Sequence, residues 1–294
     1  MRITQGMIND RLIGDLSRGR QRLAELQDRL ASGSRLTKPS DDPMAVAEGM
    51  RLSSNIAAGE RHLVLIAEAR NWMESTEQAL SGAADLLQRA RELAVQGAND
   101  TIAAGDRRNM AAEAREIFSG LLETGNQELL GRYLFGGRRT TAPPFVQTGT
   151  DPREASYEGD GDGIARPIGS GRTIMVNVTG DRALSPALEA VSRLEAALRN
   201  DGLGEIQGAL GDLDAALDRV VESRIELGAR LNRLERTGDR LEDLQAGYKM
   251  LLSKIQDVDL AEVLVEFQAE QNSYRAALGA ASRIMDMSLL DFLA

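Results

Sequence analysis

Cysteine is absent, histidine and tryptophan occur once each (His62 and Trp72), and the 294 residues include four tyrosines and five phenylalanines. Each shortage excludes a chemistry. Without thiols there is no disulfide framework, no thiolate zinc site and no cysteine nucleophile. A single histidine leaves a Ser-His-Asp triad or a histidine metal pair almost nothing to work with. So few aromatics give bases or sugars few surfaces to stack on. Positive charge is short as well. Against 45 Asp and Glu stand 35 Lys and Arg, a net charge of -10. Nucleic-acid binding needs the opposite, a basic footprint that releases phosphate counterions.

Long hydrophobic runs are missing too. The opening MRITQGMINDRLIGDLSRGR mixes apolar and charged residues, where a cleaved secretory signal needs an apolar run of about 7–15 residues. The run LVLIA at 63–67 soon meets charge, far short of the roughly 18 apolar residues of a membrane span. The expectation is a chain that does not insert in a membrane. It either stays in the cytoplasm or leaves the cell by a route that reads no cleaved signal.

Catalytic motifs are equally scarce: no phosphate-binding loop, no H-E-x-x-H and no G-x-S-x-G occur. The acidic run Glu158-Gly159-Asp160-Gly161-Asp162-Gly163 begins like a calcium loop, but Ile164 and Gly171 stand where an EF-hand needs oxygen ligands. It is expected to be a tight turn. His62, beside Glu60 and Arg61, is expected at the surface, and Trp72 at a helix contact. Asn99-Asp100-Thr101 and Asn177-Val178-Thr179 match the glycosylation sequon by chance. No catalytic residue, cofactor or metal is expected.

What the chain does have is helical patterning. Leu12, Leu16, Gly19, Leu23, Leu26 and Leu30 follow heptad spacing, and Gly33 is placed to stop that helix. Asp42-Pro43 is a cap followed by a proline pre-set for the first helical position. It opens a helix expected to reach Gln96, about 80 Å long. A third helix is expected from Asp106 to Gly131. Residues 131–182 change character, holding four of the seven prolines, four of the aromatics and ten of the 29 glycines. Strands and turns are expected there. Ser185-Pro186 restarts helix. A second very long one, about 204–254, carries Leu217, Val220, Leu227, Leu231, Leu234, Leu241, Tyr248, Leu252 and Ile255 in heptad phase, with polar or glycine gaps at 224, 238 and 245. Asp259 and Glu262, three apart, mark a last start. The seam that follows holds Leu260, Leu264, Phe267, Tyr274, Leu278, Ala281 and Met285.

The two ends differ in charge. Residues 1–38 carry eight basic and four acidic residues, and residues 255–294 carry two and seven. Both sets could be solvated faces; they could equally steer the two ends into a pair. Each end offers a narrow apolar seam, which suits a helical pair that packs on further copies of itself.

Particular strings then resemble a known family. Ser32-Gly33-Ser34-Arg35-Leu36-Thr37-Lys38-Pro39-Ser40-Asp41-Asp42-Pro43 is similar to the segment after the first helix of flagellins and hook-associated proteins. Asp257-Val258-Asp259-Leu260-Ala261-Glu262 and the ending Ser288-Leu289-Leu290-Asp291-Phe292-Leu293 resemble the same superfamily. Gly131-Arg132-Tyr133-Leu134-Phe135-Gly136-Gly137 with Pro144-Phe145, and Tyr157-Glu158-Gly159-Asp160, look like its hook–filament junction branch. Pro43, in place of the alanine typical of flagellins, favours that branch.

The resemblance implies a mainly α fold: an elongated flagellin-like helical bundle, a terminal coiled coil and a small inserted β domain. Residues 1–39 with 258–294 would form the terminal coiled coil, 40–130 with 184–257 the bundle, and 131–183 the β domain. It implies a structural adapter, not an enzyme, that joins the hook-associated region to the filament outside the cell after type III export. Its partners would be hook-associated protein 1, flagellin, copies of itself and an export chaperone. Leu12, Leu16, Leu23, Leu26, Leu30, Leu260, Leu264, Phe267, Tyr274, Leu278, Met285 and Leu289 are the expected assembly interface. Ser40, Asp41, Asp42, Pro43, Gly131, Tyr133, Phe135 and Gly136 carry the family motifs. The rival expectations are a divergent flagellin, a cytoplasmic coiled-coil scaffold, and an enzyme within residues 131–183.

Overall fold

The computed structural model describes residues 5–36, 38, 40, 42–148, 153–169 and 171–293. In chain order these form α1 (Gln5–Ser32), α2 (Pro43–Gly97), α3 (Ala104–Gly125), β1 (Glu128–Leu129), β2 (Arg132–Tyr133), β3 (Phe145–Gln147), β4 (Ala155–Tyr157), β5 (Ala165–Gly169), β6 (Arg172–Met175), α4 (Gly180–Ala183), α5 (Ser185–Arg199), α6 (Leu203–Gln256) and α7 (Leu260–Leu293). The fold is mainly α. It divides into two compact units, Met1–Ala58 with Leu244–Ala294, and Gly59–Asp243, so each unit takes part of α2 and of α6.

The Gly59–Asp243 unit holds the large core. On α6, Leu213, Val220, Leu227 and Leu234 recur every seventh residue and all are buried, with Ala209 before them and Ala216 and Ser223 between them. That is the heptad pattern that lets one helix face stay against its neighbours. From α2 come Met73, Leu80, Leu87 and Leu93, interleaved with Ala83, Ala90 and Ala94, where small side chains let helices approach. Phe118 and Leu121 of α3 and Leu194 and Leu198 of α5 complete it. The polar gaps of α6 are also used. Arg224 donates to Glu77 at 2.7 and 2.9 Å, and Gly238 leaves room for Ile66. His62 is half-buried, with a buried Nδ1 that has no partner, rather than a solvated surface residue. Trp72 packs against the core, as expected.

The third helix ends at Gly125, six residues before the expected stop. The pair Gly125-Asn126 ends it, and a long-range contact covers that end. The ring of Phe145 lies where a Cβ of residue 125 would stand, 2.6 Å from its ideal position. The Asn126 side chain then pairs with the Phe145 backbone, accepting its N–H at 3.0 Å and donating to its carbonyl at 2.8 Å. Gly131 serves instead in the turn of the β1–β2 hairpin, where Leu130 and Gly131 take φ of 52° and 74°. A two-residue hairpin loop of that twist needs positive φ at both positions.

The β region is three separate antiparallel pairs, β1–β2, β3–β4 and β5–β6. Leu134, Phe135, Phe145, Ile168, Ile174 and Val176 give it a core continuous with that of the helices. The acidic run closes a turn, as its glycines suggest: the Asp160 carboxylate accepts from Arg138 N–H at 2.6 Å and Asp162 N–H at 3.2 Å. Asn177, the second sequon asparagine, is buried and holds Ile164 N–H and the Asp162 carbonyl.

Tyr157 Oη lies 2.8 Å from the Phe135 carbonyl and 2.9 Å from that of Asp160, so one proton is shared between two acceptors. Its ring stacks at a tilt on Phe145, centroids 5.2 Å apart. Burial, with the negative charges of Asp181 and Asp160, pushes the phenol up to about 12. The folded state therefore holds this proton more tightly than the unfolded chain, whose tyrosines ionise near pH 10. Stability from Tyr157 is complete below pH 10 and falls as pH climbs towards 12. Absorbance titration of tyrosinate should show a late step near pH 12 that Tyr157→Phe removes; the variant's stability should also lose that alkaline decline.

Candidate assembly interface

The unit made by the chain ends is built on two antiparallel helix pairs. In the first, α1 runs against α7. Gly19 is buried because Tyr274 sits over it, with Cδ2 3.1 Å from where a Cβ would stand. Arg22 Nε donates to Glu270 Oε1 at 2.9 Å. Further along, Glu25, Leu26 and Arg29 face Glu266, Ala269 and Ser273 across a cleft of about 530 Å³. At the end of α1 the backbone locks the register. Gly33, at φ +66°, stops the helix and gives its N–H to Arg29. Ser34 and Asp257 then form an antiparallel bridge, with Arg35 N–H to Gln256 O at 2.6 Å and Val258 N–H to Gly33 O at 3.1 Å. The basic front and acidic back of the chain thus meet side by side, although the Arg22–Glu270 contact, with its arginine 61% exposed, contributes under about 1 kcal/mol.

In the second pair, the start of α2 lies against the end of α6. Asp42 caps α2, its Oδ1 accepting Ala45 N–H at 3.0 Å, and Pro43 is the first helical residue. Leu52 and Ile56 are buried, Gly49 accommodates Leu252 and Gln256, and Gln245 donates to the Ile56 carbonyl at 3.4 Å. Asp259 caps α7 in turn, accepting from Ala261 and Glu262 N–H at 2.9 and 3.3 Å.

The residues marked out by the sequence divide into two groups. Leu12, Leu16, Leu23, Leu26 and Leu30, with Phe267 and Tyr274, are half-buried. Leu260, Leu264 and Leu278 are exposed, at 54, 47 and 45%. The buried positions of α7 are Val263 and Ala281. Helix α7 therefore carries two stripes with the same 4-3 spacing: 263, 267, 270, 274, 277, 281 and 260, 264, 267, 271, 274, 278. They share Phe267 and Tyr274, and the second, continued at the same spacing, also reaches the buried Ala281. Among the described residues, the first is the better covered: Val263 and Ala281 are buried, while Leu260, Leu264 and Leu278 stay exposed. The sequence reading followed the leucine-richer stripe, although Gln271 interrupts it as Glu270 interrupts the other; the clue available was that both spacings fit. The side chains of Met285 and Leu289 lie outside the described residues, as does Asp41, while Ser40 sits exposed in the turn before α2.

Elsewhere the motif residues have structural duties. Phe135 is fully buried and its carbonyl accepts from Tyr157 and from Gly180 N–H at 2.9 Å. Gly136 permits a backbone crossing that a Cβ would block, 2.3 Å from Arg139 O. Tyr133 lies in β2, paired with Glu128 of β1. Among the described residues, no three His, Asp or Glu converge as metal ligands, and no helix is long and apolar enough to cross a membrane.

Sequence comparison gives the class of protein to which this helical arrangement belongs. The N-terminal helical region of bacterial flagellin matches residues 8–140, and its C-terminal helical region matches residues 210–293. The chain belongs to the bacterial flagellin family. Within it, the chain is 24% identical to flagellar hook-associated protein 3 of Salmonella typhimurium (strain LT2) over 98% of both chains. It is 27% identical to flagellin FlaB2 of Treponema pallidum (strain Nichols), over 90% of this chain and 88% of that one. The crystal structure of the flagellar junction protein FlgL from Legionella pneumophila shares the fold at 16% identity, with a TM-score of 0.56, over 70% of this chain and all of that one.

Proposed function

We propose that this chain is a structural junction subunit of the bacterial flagellum, joining the hook-associated region to the flagellin filament. The observation that carries the proposal is the second stripe of α7. Leu260, Leu264 and Leu278 lie on a helix already paired through its other stripe, which leaves apolar surface for neighbouring subunits. End-to-end similarity to a hook-associated protein 3 supports the junction over other axial positions. The role is mechanical and not enzymatic. One surface fits hook-associated protein 1 below and another fits flagellin above, and copies of the chain repeat around the axis through heterologous contacts. In this scheme residues 1–39 with 258–294 are the assembly domain, 40–130 with 184–257 the bundle, and 131–183 an outer domain. The subunit reaches its place through the flagellar type III export apparatus, escorted by an export chaperone.

A filament subunit is the second reading, favoured by the flagellin similarity. Electron microscopy of a deletion strain separates the two. The junction role predicts hooks that persist without filaments, and flagellin shed into the medium. A filament subunit predicts antibody against this chain labelling the filament along its length. Normal filaments in the deletion strain would refute both.

A further inference from the structure

With no thiol in the chain, thioether is its only side-chain sulfur, carried by ten methionines. Their placement is uneven. In the Gly59–Asp243 unit, Met73 and Met110 are buried and Met175 is 43% exposed. In the unit of the chain ends, Met7, Met44, Met50 and Met250 are 61, 82, 70 and 61% exposed. They lie on α1, on the first turns of α2 and on the last turns of α6. Met50 sits on the side of α2 opposite the buried Leu52 and Ile56. Each presents a flexible apolar side chain to solvent on the unit that carries the uncovered leucines, and a polarisable thioether suits an adaptable contact.

We propose that Met7, Met44, Met50 and Met250 are oxidation sites, and that peroxide acting on them makes a free subunit incompetent for assembly. The reaction balances without any further reagent. A sulfur lone pair attacks one peroxide oxygen, an S–O bond forms as the O–O bond breaks, and proton transfer leaves water. Sulfur is oxidised by two electrons and peroxide is reduced by two. The product is a polar sulfoxide in place of an apolar thioether, and methionine sulfoxide reductases reverse it. A thiol would react in their stead, but the chain has none. Because the effect is on incorporation, the inference rests on the junction reading above.

The test uses the purified full chain, hydrogen peroxide, and cells of the deletion strain bearing hooks. Peptide mass spectrometry after brief treatment should place sulfoxide on these four methionines before Met73 and Met110. Binding of the treated chain to hook ends should fall at least tenfold. Sulfoxide reductase should restore it, and a variant carrying Met7→Leu, Met44→Leu, Met50→Leu and Met250→Leu should lose most of the sensitivity to peroxide. Oxidation of Met73 as fast as Met50, or full binding by the oxidised parent, would overturn the inference with the junction reading intact. If the untreated parent does not bind hook ends, the junction reading falls and takes this inference with it.

Discussion

Leu264→Asp is expected to leave the isolated chain as stable as its parent and to abolish filament attachment. The two outcomes follow from the same geometry. Leu264 is 47% exposed and lies on the α7 stripe that does not face α1, so in the free subunit the new carboxylate remains hydrated. In the proposed assembly that stripe is covered, and an unpaired charge buried there would cost about 3 kcal/mol or more at each contact. Such a cost recurs in every subunit of the junction, so attachment should be lost outright. Val263→Asp is the instructive contrast. Val263 is 5% exposed, so this change should loosen α7 already in the free chain. Helix content by circular dichroism, thermal unfolding and filament counts in complemented deletion cells give the three readings. Wild-type filament counts with Leu264→Asp would remove the second stripe from the assembly interface.

The contrast between these neighbours shows what the sequence could and could not convey. Elements delimited by local chemistry were legible. Gly33, Asp42-Pro43 and Ser185-Pro186 act through their own backbone preferences, and the structure places helix ends at each. In α6 the expected Val220, Leu227 and Leu234 are buried, but Leu217 and Leu231 are only half-buried and Ala216 and Ser223 are buried in their place. Helix α7 offers two stripes of equal spacing, and spacing alone does not say which one meets α1. The end of α3 was only partly legible, for another reason. Phe145, twenty residues on, packs against that end, and although Gly125-Asn126 is a local stop pair, nothing in it reports the ring that will cover it. The division of residues 131–182 into three hairpins rests on similar distant contacts, such as the shared proton of Tyr157.

Arg107 is the extreme case of a residue whose role only the fold reveals, and it carries the second large prediction. It lies in an arginine pair at the start of α3 with nothing to separate it from Arg108. Yet its side chain is 5% exposed, and its guanidinium spends three donors on three segments. Nε reaches Gly97 O at the end of α2 at 2.9 Å, one terminal nitrogen reaches Asn99 O at 3.0 Å, and the other pairs with Asp201 in the α5–α6 turn. Asp201 itself holds φ +59°, a conformation that costs a non-glycine residue roughly 1–2 kcal/mol and needs such an anchor. Arg107→Ala removes all three bonds and strands the helix-end carbonyl of Gly97, while the half-exposed Asp201 carboxylate can rehydrate. That relief puts the loss near the lower end of the range for breaking a buried ion pair, about 3 kcal/mol. Lysine, a point charge, can satisfy one acceptor of the three and should recover less than half of this. Arg108→Ala, at an exposed position, should change stability by no more than about 0.5 kcal/mol. Trp72 is the only tryptophan and packs on the same core, so its fluorescence during urea unfolding reports on the affected unit. A midpoint for Arg107→Ala equal to that of Arg108→Ala would mean that the clamp contributes nothing to holding the α2–α3 link against the α5–α6 turn.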